Sequence, residues 1–457
     1  MYNYDNSRYI YLSTIKKHWI LLIAIATALT GCGILSQKVQ IPSKIPEKLT
    51  LYIQESLSSR YSNSIVALQA INGKEKWHYT IKSGYQVLHV LTTSTAVYLI
   101  TSSIPPANTS SFSPAFVLIA INPFDGKPIW QRTITSGSVL PEPQVVYVGI
   151  LDSTGHKTIA ALHANNGIII WHTPITGVPS FFQLAQGNVY AIVGHKTDTG
   201  LIDPLYSGSL LAMDAKNGNI LWQYHPAGGI ASVYINRGIA YTTTILYQGN
   251  TSYRSLYALN ATDGDILWQH RGSLSVYPFV ESYKGTIISI DGNGSLSALN
   301  IANGSILWKY ISNQFLIGFT KQRDILYFGQ EKHVTVPSVA RLQALQISNG
   351  HVLWEHVFMG DTKLAPNLLV DDNSLYVGIQ TPNNTKIYAL QISNGAVRWS
   401  YGQSHSSISS FQIQHGVIYI SSWKGSKSGS VCALQAATGD TIWCQALGAR
   451  PEVATLG

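Results

Sequence analysis

Short apolar stretches alternate with polar turn residues along residues 50–457, and one pattern recurs nine times. In every copy an alanine, followed by Leu, Ile or Met, stands six residues before a glycine, and a tryptophan stands four residues after that glycine. The residue before the glycine is mostly Asn or Asp, which predicts two antiparallel strands joined by a tight turn, because glycine adopts the left-handed conformation at no steric cost. The glycine–tryptophan pairs are Gly73/Trp77, Gly126/Trp130, Gly167/Trp171, Gly218/Trp222, Gly264/Trp268, Gly304/Trp308, Gly350/Trp354, Gly395/Trp399 and Gly439/Trp443.

Each interval between these tryptophans has room for four strands. Upstream of most units lies a second apolar stretch with a tyrosine, and a less regular apolar stretch precedes that one. A repeat of this length predicts a four-stranded propeller blade. We name its strands A to D from the axis outward, with D carrying the tryptophan. The tyrosines are Tyr98, Tyr147, Tyr190, Tyr241, Tyr327, Tyr376 and Tyr419.

The tryptophan is preceded by Ile or Leu in seven of the nine copies. Because neighbouring residues on a strand point to opposite faces, this pair predicts that both faces of each sheet are mostly covered. Blades packed face to face around a ring meet that condition. We therefore interpret the nine tryptophans as equivalent structural contacts between blades rather than as stacking platforms for sugars or bases.

The first unit has no innermost strand of its own. It begins at residues 49–53, and residues 452–455 could supply the missing strand, which would clasp the two ends of the ring and remove an open sheet edge. Counted in this way, the motif predicts nine blades.

The motif Ala-aliphatic-x4-Gly-x3-Trp resembles the PQQ-like propeller repeat, named for quinone-dependent alcohol dehydrogenases, and it covers residues 50–457. The resemblance implies an all-β fold, a PQQ-like β-propeller of four-stranded antiparallel blades. Eight blades are usual in the family, whereas the motif count here gives nine. The family includes both enzymes and non-enzymes, so the repeat by itself predicts no activity.

The N-terminus is typical of an exported protein. Three basic residues, Arg8, Lys16 and Lys17, precede an uncharged apolar run at 19–29, and Leu-Thr-Gly-Cys at 29–32 resembles the bacterial lipobox. The resemblance implies a lipoprotein signal peptide at 1–31, lipidation of Cys32, and an extracytoplasmic protein that the lipid anchors to the cell membrane. The alternative is an uncleaved transmembrane anchor, but the apolar run is shorter than the roughly 20 residues that a spanning helix needs. Residues 32–49, with two prolines and three lysines, are predicted to form a tether.

Composition and charge limit the classes of partner that we expect. Only 11% of the residues are charged, and the formal net charge of +8 is spread along the chain without a basic run. A nucleic-acid-binding protein usually concentrates its basic residues in a stripe, so we expect no nucleic-acid partner. We expect a monomer.

Two further cysteines, Cys432 and Cys444, fall opposite each other on the last predicted hairpin. An exported protein permits a disulfide at this position. Two reduced, buried cysteines are equally compatible with the sequence.

The chain lacks features on which the quinone dehydrogenases of the family depend. Those enzymes use two adjacent cysteines, a calcium ion and an aspartate base, and this sequence has no adjacent cysteines. We therefore predict no catalytic residues, no metal and no cofactor, neither PQQ nor calcium. The lipidated layout with only a propeller resembles the BamB-like scaffold lipoproteins, which implies protein partners at the membrane surface. The alternatives are a PQQ-dependent oxidoreductase and a cell-surface glycan-binding protein.

The longest insertions fall between strands B and C, at one end of the predicted ring. They carry aromatic residues that the repeat does not require, namely Phe112, Tyr206, Tyr247, Tyr253 and Trp423. Exposed aromatics on loops of a rigid scaffold are frequent anchors of interfaces, so these five are the candidate binding face. Drift of loop sequences in a tolerant fold explains them equally well.

Overall fold

The computed structural model describes residues 46–56, 63–105, 114–195, 204–249, 251–272, 282–283, 285–290, 294–312, 314–331, 339–402, 406–424, 428–448 and 450–457. These residues form 36 strands in nine antiparallel sheets of four, and no helix. No described segment could therefore cross a membrane as an apolar helix. The predicted signal peptide, Cys32, nearly all of the tether and Phe112 lie outside the described residues.

Blades 1 to 3 take the first eleven strands and the last one. The strands are β1 (Thr50–Ser56), β2 (Ser64–Gln69), β3 (Glu75–Thr80) and β36 (Arg450–Leu456) in blade 1, β4 (Tyr85–Thr92), β5 (Val97–Ser103), β6 (Phe116–Ile121) and β7 (Pro128–Ile134) in blade 2, and β8 (Val139–Pro141), β9 (Val145–Leu151), β10 (Lys157–His163) and β11 (Ile169–Pro174) in blade 3.

Blades 4 to 6 follow in chain order. Their strands are β12 (Val178–Ala185), β13 (Asn188–Gly194), β14 (Gly208–Asp214) and β15 (Ile220–Tyr224), then β16 (Gly229–Asn236), β17 (Ile239–Gln248), β18 (Thr251–Asn260) and β19 (Ile266–Gly272), then β20 (Ser282–Tyr283), β21 (Thr286–Ile290), β22 (Leu296–Asn300) and β23 (Ile306–Tyr310).

Blades 7 to 9 complete the ring. Their strands are β24 (Phe315–Gln322), β25 (Ile325–Glu331), β26 (Ala340–Gln346) and β27 (Val352–Phe358), then β28 (Lys363–Val370), β29 (Ser374–Gln380), β30 (Thr385–Gln391) and β31 (Val397–Tyr401), then β32 (Ser407–Gln414), β33 (Val417–Lys424), β34 (Ser428–Gln435) and β35 (Thr441–Leu447).

The ring closes inside blade 1. Strand β36 pairs antiparallel with β1, with Leu51 opposite Leu456 and Ser56 opposite Arg450, so the last strand supplies strand A of the first blade. The prediction of nine four-stranded blades clasped by the C-terminal strand is therefore confirmed.

Each repeat tryptophan contacts the turn of the following blade. The glycine of every C–D turn has a positive φ between 69° and 82°, and a Cβ atom built on it would lie 2.4–2.8 Å from the tryptophan of the preceding blade. The indole Nε1 donates a hydrogen bond of 2.8–3.0 Å to the carbonyl three residues before that glycine. The ninth contact, Trp443 on Gly73 and Ala70, joins blade 9 to blade 1, so the series has no end. The glycine thus has two functions, a left-handed turn and a surface flat enough for the indole to lie on.

The nine tryptophans share this contact but not the same burial, which differs from the equivalence that the repeat predicts. Five of them are buried, with 6–8% of the side chain exposed, namely Trp77, Trp171, Trp222, Trp268 and Trp354. The other four are only partly buried, namely Trp130, Trp308, Trp399 and Trp443. The motif sets the hydrogen bond and the glycine contact of each indole, whereas its exposure depends on the side chains that each neighbouring blade places around it.

A buried tyrosine on strand B packs against the tryptophan of its own blade. Eight blades have this pair, with ring centroids 5.8–6.2 Å apart, whereas blade 6 has Ile288 at the tyrosine position. In blade 4 the hydroxyl of Tyr190 donates to the carbonyl of Ala261, which also accepts the Nε1–H of Trp222. Burial raises the pKa of all eight tyrosines, and that of Tyr98 to about 12.

Nine apolar clusters lie at the nine interfaces between neighbouring blades. At the closure, Val66 and Leu68 of blade 1 pack against Tyr419 and Val431 of blade 9. The faces of strands B and C are therefore covered on both sides, and the apolar core is a ring of interfaces rather than one centre.

The sequence pattern predicted that the residue before each tryptophan covers the opposite face of the sheet, but it does not. In all nine blades the C–D pairing shifts by one residue directly after the alanine, so this residue is the extra residue of a β-bulge. The bulge interrupts the strict alternation of the strand, and the side chain projects at the rim. The aliphatic examples are 39–50% exposed, namely Ile129, Ile170, Leu221, Leu267, Leu307, Leu353 and Ile442.

Candidate functional site

The antiparallel order gives the ring two different ends. The A–B and C–D turns lie at one end, the turn face, and the B–C and D–A connections lie at the other, the loop face. Contacts between the two kinds of connection confirm this arrangement. In one of them the Ile230 amide, at the start of β16, donates to the Pro204 carbonyl in the B–C connection of blade 4.

The repeat tryptophans form no part of the loop face. Trp77, Trp268 and Trp354 are buried within three of the apolar clusters between blades, and Trp399 packs against a fourth. Each indole N–H is directed to a carbonyl of a C–D turn, at the opposite end of the ring. The structure therefore brings the tryptophans together with the turn glycines and not with the candidate binding residues.

Two predicted aromatic residues come together on the loop face. The rings of Tyr206, from blade 4, and Tyr247, from blade 5, stack with centroids 4.6 Å apart and planes 20° apart. They are 47% and 40% exposed. The backbone of Leu205 lies so close to Gly229 that any Cβ there would overlap it, which fixes Tyr206 against blade 5.

Tyr247 and Tyr253 lie on strands rather than on a loop, contrary to the expectation from the sequence that both belong to a B–C insertion. Strands β17 and β18 extend to Gln248 and from Thr251. Tyr253 faces Leu246 in this register and is 49% exposed. Strands β17 and β18 are longer than the B and C strands of the other blades, and both tyrosines lie in the extended part of this hairpin at the loop face.

Trp423 differs from the expectation of a free aromatic anchor. It is half-buried, and the guanidinium of Arg450 lies 4.5 Å from the centroid of its ring. Since Arg450 begins the clasp strand β36, this cation–π contact belongs to the ring closure. No sequence pattern indicates the contact, because the two residues belong to different blades.

Exposed large apolar side chains lie on both faces. Apart from the rim positions directly before the tryptophans, the described residues contribute seven to the loop face and seven to the turn face. Those of the turn face lie in a C–D turn or at the start of a D strand, and are Phe124, Ile168, Ile220, Ile266, Ile306, Val352 and Val397. Those of the loop face lie on blades 3 to 7 and on the connection that follows blade 7, and are Leu151, Tyr206, Tyr247, Tyr253, Ile311, Phe315 and Met359. Sequence reasoning missed the four that are not aromatic residues of B–C insertions, because a single apolar residue in a short connection has no periodic signal.

Charge is distributed unequally between the two faces. In the connections and the two strand residues nearest to them, the described loop face has nine basic and four acidic residues, and the turn face has nine basic and eleven acidic residues. Two of the four acidic side chains of the loop face, Glu55 and Glu331, are buried. The basic residues of the loop face are Lys82, Lys157, Arg271, Lys309, Arg341, Lys363, Lys386, Lys424 and Arg450.

One pair of histidines lies on the loop face of blade 4. The rings of His195 and His225 are 6.0 Å apart, and Nε2 of His195 is 2.8 Å from Oγ of Ser209. Burial, followed by the charge of His225, lowers the pKa of His195. Within the described residues, no group of three or more His, Cys, Asp or Glu side chains could hold a metal ion.

Cys432 and Cys444 lie directly opposite each other on β34 and β35, and a disulfide joins them. This is the register expected from the hairpin.

A family model described as outer membrane protein assembly factor BamB matches the chain in three overlapping stretches, residues 111–232, 207–364 and 338–456. Together they cover well over half of the chain. The chain belongs to this family of PQQ-like propellers.

Three solved structures resemble this PQQ-like propeller. The computationally designed protein Ika8 is 10% identical, with 80% of this chain and 96% of that one covered and a TM-score of 0.46. BamB from Moraxella catarrhalis is 13% identical, with 74% and 96% covered and a TM-score of 0.43. Quinohemoprotein alcohol dehydrogenase ADHIIG from Pseudomonas putida HK5 is 13% identical, with 81% and 68% covered and a TM-score of 0.41. No curated protein sequence matches the chain. At these scores the structures identify no function for the PQQ-like propeller.

Proposed function

We propose that this chain is a non-catalytic scaffold, tethered to the outside of a membrane through a lipid on Cys32, that binds a protein partner with its loop face. The observation that carries the proposal is the exposed pair of Tyr206 and Tyr247 on the loop face, whose rings stack across blades 4 and 5. Exposed aromatic side chains held on a rigid domain are frequent anchors of interfaces. The family description, an assembly factor, names a protein that acts on other proteins.

The position of the chain before β1 is consistent with this orientation. Residues 46–49 lead into β1 at the turn face, where the Ala70 amide donates to the Leu49 carbonyl. A tether of residues 32–49 that begins at a lipid would therefore reach the ring on the side opposite to the pair of Tyr206 and Tyr247. The loop face would then remain accessible to a partner.

The charge of the loop face adds a property of the partner. A surface with nine basic and four acidic residues favours an acidic surface opposite to it and steers the encounter. We expect binding to weaken as the salt concentration rises, because exposed charges are screened.

The test is a pull-down from membranes that compares wild-type protein with two variants. The double variant Tyr206→Ala, Tyr247→Ala removes the stacked pair on the loop face, and Phe124→Ala removes a more exposed aromatic ring from the turn face. We expect the same partner with wild type and Phe124→Ala, and about 30-fold weaker capture with the double variant, as for the loss of an interface hot spot of about 2 kcal/mol. Equal capture by all three proteins would exclude the tyrosine pair as part of the binding surface.

A surface glycan-binding protein is the second candidate, and the stacked pair of Tyr206 and Tyr247 favours it, since sugar rings pack on exposed aromatic faces. Binding to a glycan array that disappears in the double variant, without capture of a protein partner, would replace the scaffold by this function.

A further inference from the structure

The ring has one seam, between blades 9 and 1, where the two ends of the chain meet. Eight blades are each made from four consecutive strands, whereas blade 1 combines β1 to β3 with β36. At the seam, Trp443 packs on Gly73, and the Val453 amide of the clasp strand donates to Oγ of Ser410. At every other interface, the chain leaves one blade and forms the next blade from the four strands that follow. The seam is instead held by side-chain contacts and by the pairing of β36 with β1.

The cysteine pair lies in the blade next to this seam. Cys432 and Cys444 occupy the cross-strand position formed by the residue before the repeat alanine and the residue after the repeat tryptophan. None of the other eight blades has cysteine at this position. The equivalent pairs are Val66/His78, Ile119/Gln131, Ala160/His172, Leu211/Gln223, Tyr257/Gln269, Ser297/Lys309, Gln343/Glu355 and Tyr388/Ser400.

Strand β35 connects the pair to the closure. Cys444 directly follows Trp443, whose indole makes the outer contact of the seam, and only residues 448–449 separate β35 from the clasp strand β36. A bond from Cys444 to β34 therefore holds the strand from which both closing elements extend.

We propose that the Cys432–Cys444 disulfide is a redox-sensitive lock on the closure of the ring. While the bond is intact, β35 stays on blade 9 and presents Trp443 and β36 to blade 1. When it is reduced, residues 441–456 are held by non-covalent contacts alone and separate from blade 1 as a unit.

The two cysteines differ in solvent exposure, and this difference determines which sulfur atom a reductant attacks first. Cys444 is exposed, whereas Cys432 is 2% exposed within the apolar cluster between blades 8 and 9. The thiolate of an external dithiol attacks Sγ of Cys444, and the electron pair of the broken sulfur–sulfur bond goes to Sγ of Cys432, which takes up a proton. The second thiol of the reductant then attacks the mixed disulfide and releases Cys444 as a thiol, so the reductant loses two electrons and becomes a disulfide.

The experiment measures amide hydrogen exchange of the full chain by mass spectrometry, with and without dithiothreitol, after alkylation has counted the free thiols. We expect no alkylation of Cys432 or Cys444 before reduction. After reduction, peptides from β35, β36 and β1 should exchange about a hundredfold faster, as expected for release of a loop of this size, while blades 3 to 7 stay unchanged. Alkylation of both cysteines without reductant, equal acceleration in all blades, or no acceleration at the seam would overturn the proposal.

Variants separate the lock from a general effect of cross-linking. Cys432→Ser, Cys444→Ser should behave as the reduced protein does, without any reductant. The matched control adds Ser297→Cys, Lys309→Cys to this variant, which moves the bond to the equivalent position in blade 6. A bond there should slow exchange in blade 6 and leave the seam fast. Recovery of slow exchange at the seam by the moved bond would contradict a local lock.

Discussion

Replacing the turn glycine that lies under a neighbouring indole should destabilise the ring more than replacing a turn glycine with free space around it. Blade 4 has both kinds. Gly218 has φ +76°, and a Cβ atom on it would lie 2.4 Å from Cε3 of Trp171. Gly187 has φ +80°, and a Cβ atom on it would meet nothing within 4 Å.

Both substitutions place a non-glycine residue in the left-handed region, but only Gly218→Ala also displaces an indole. A non-glycine residue in the left-handed region costs about 1–2 kcal/mol, and this applies to both Gly218→Ala and Gly187→Ala. Only at Gly218 must the indole move, and it is held by its hydrogen bond to the Ala215 carbonyl at 3.0 Å. Forcing extra volume into such a contact costs about 1–3 kcal/mol more. We expect Gly218→Ala to lower the free energy of unfolding by about 1–3 kcal/mol more than Gly187→Ala does.

The assay is urea denaturation followed by circular dichroism, with tryptophan fluorescence as a second probe and wild type alongside. Coincident transitions from the two probes justify comparison of the midpoints. If the two glycine variants lose the same stability, the contact between indole and glycine contributes nothing to the interface, and the account of how neighbouring blades pack is wrong.

Three further outcomes follow from the same geometry. Trp308→Phe should cost about 1 kcal/mol more than Trp222→Phe in urea denaturation, because blade 6 has no tyrosine hydroxyl to bond the carbonyl that loses its indole donor. Arg237→Asn should raise the free energy of unfolding by about 0.5–1 kcal/mol, because Arg237 has φ +49° in an A–B turn and asparagine tolerates this left-handed conformation. The control Lys216→Asn changes an exposed turn residue without positive φ and should not raise it. Stability should be fully present below pH 10, the pKa of an unfolded tyrosine, and should fall above it as pH rises through the raised pKa of the buried tyrosines, about 12 for Tyr98. Absorbance at 295 nm that reports ionisation of all 26 tyrosines before circular dichroism changes would contradict this.

The repeat itself was predictable because each of its parts has a local cause. The turn glycine, the alanine opposite the tryptophan and the four-strand period follow from the sequence pattern, and together they predicted the number of blades and the clasp. The sequence could not show that Trp171 packs on Gly218, because alternation assigns a side chain to a face of its own sheet and says nothing of the neighbour that covers it. For the same reason it could not show that Trp77 is buried while Trp399 is only partly so.

Two expectations failed for related reasons. Alternation placed Leu221 and its equivalents on a covered face, but a β-bulge adds one residue to strand D and turns them to the rim. Trp423 was expected to be free for a partner, but the closing of the ring brings Arg450 onto it from the far end of the described chain. Both results depend on the pairing of strands in three dimensions, which a one-dimensional pattern does not contain.

The candidate site was only partly visible in the sequence. Tyr206 and Tyr247 could be singled out because the repeat does not need them, and the structure brings them into contact. Ile311 and Met359 were not singled out, since an isolated apolar residue in a connection indicates nothing until its neighbours on the same face are known.

Site-specific photo-crosslinking in intact cells tests most directly whether one end of the ring is the recognition surface. A benzophenone side chain is placed at Tyr247 on the loop face and, in a second protein, at Phe124 on the turn face. We expect a discrete cross-linked protein adduct from position 247 and none from position 124. Adducts from position 124 alone, or the same adducts from both positions, would contradict this expectation.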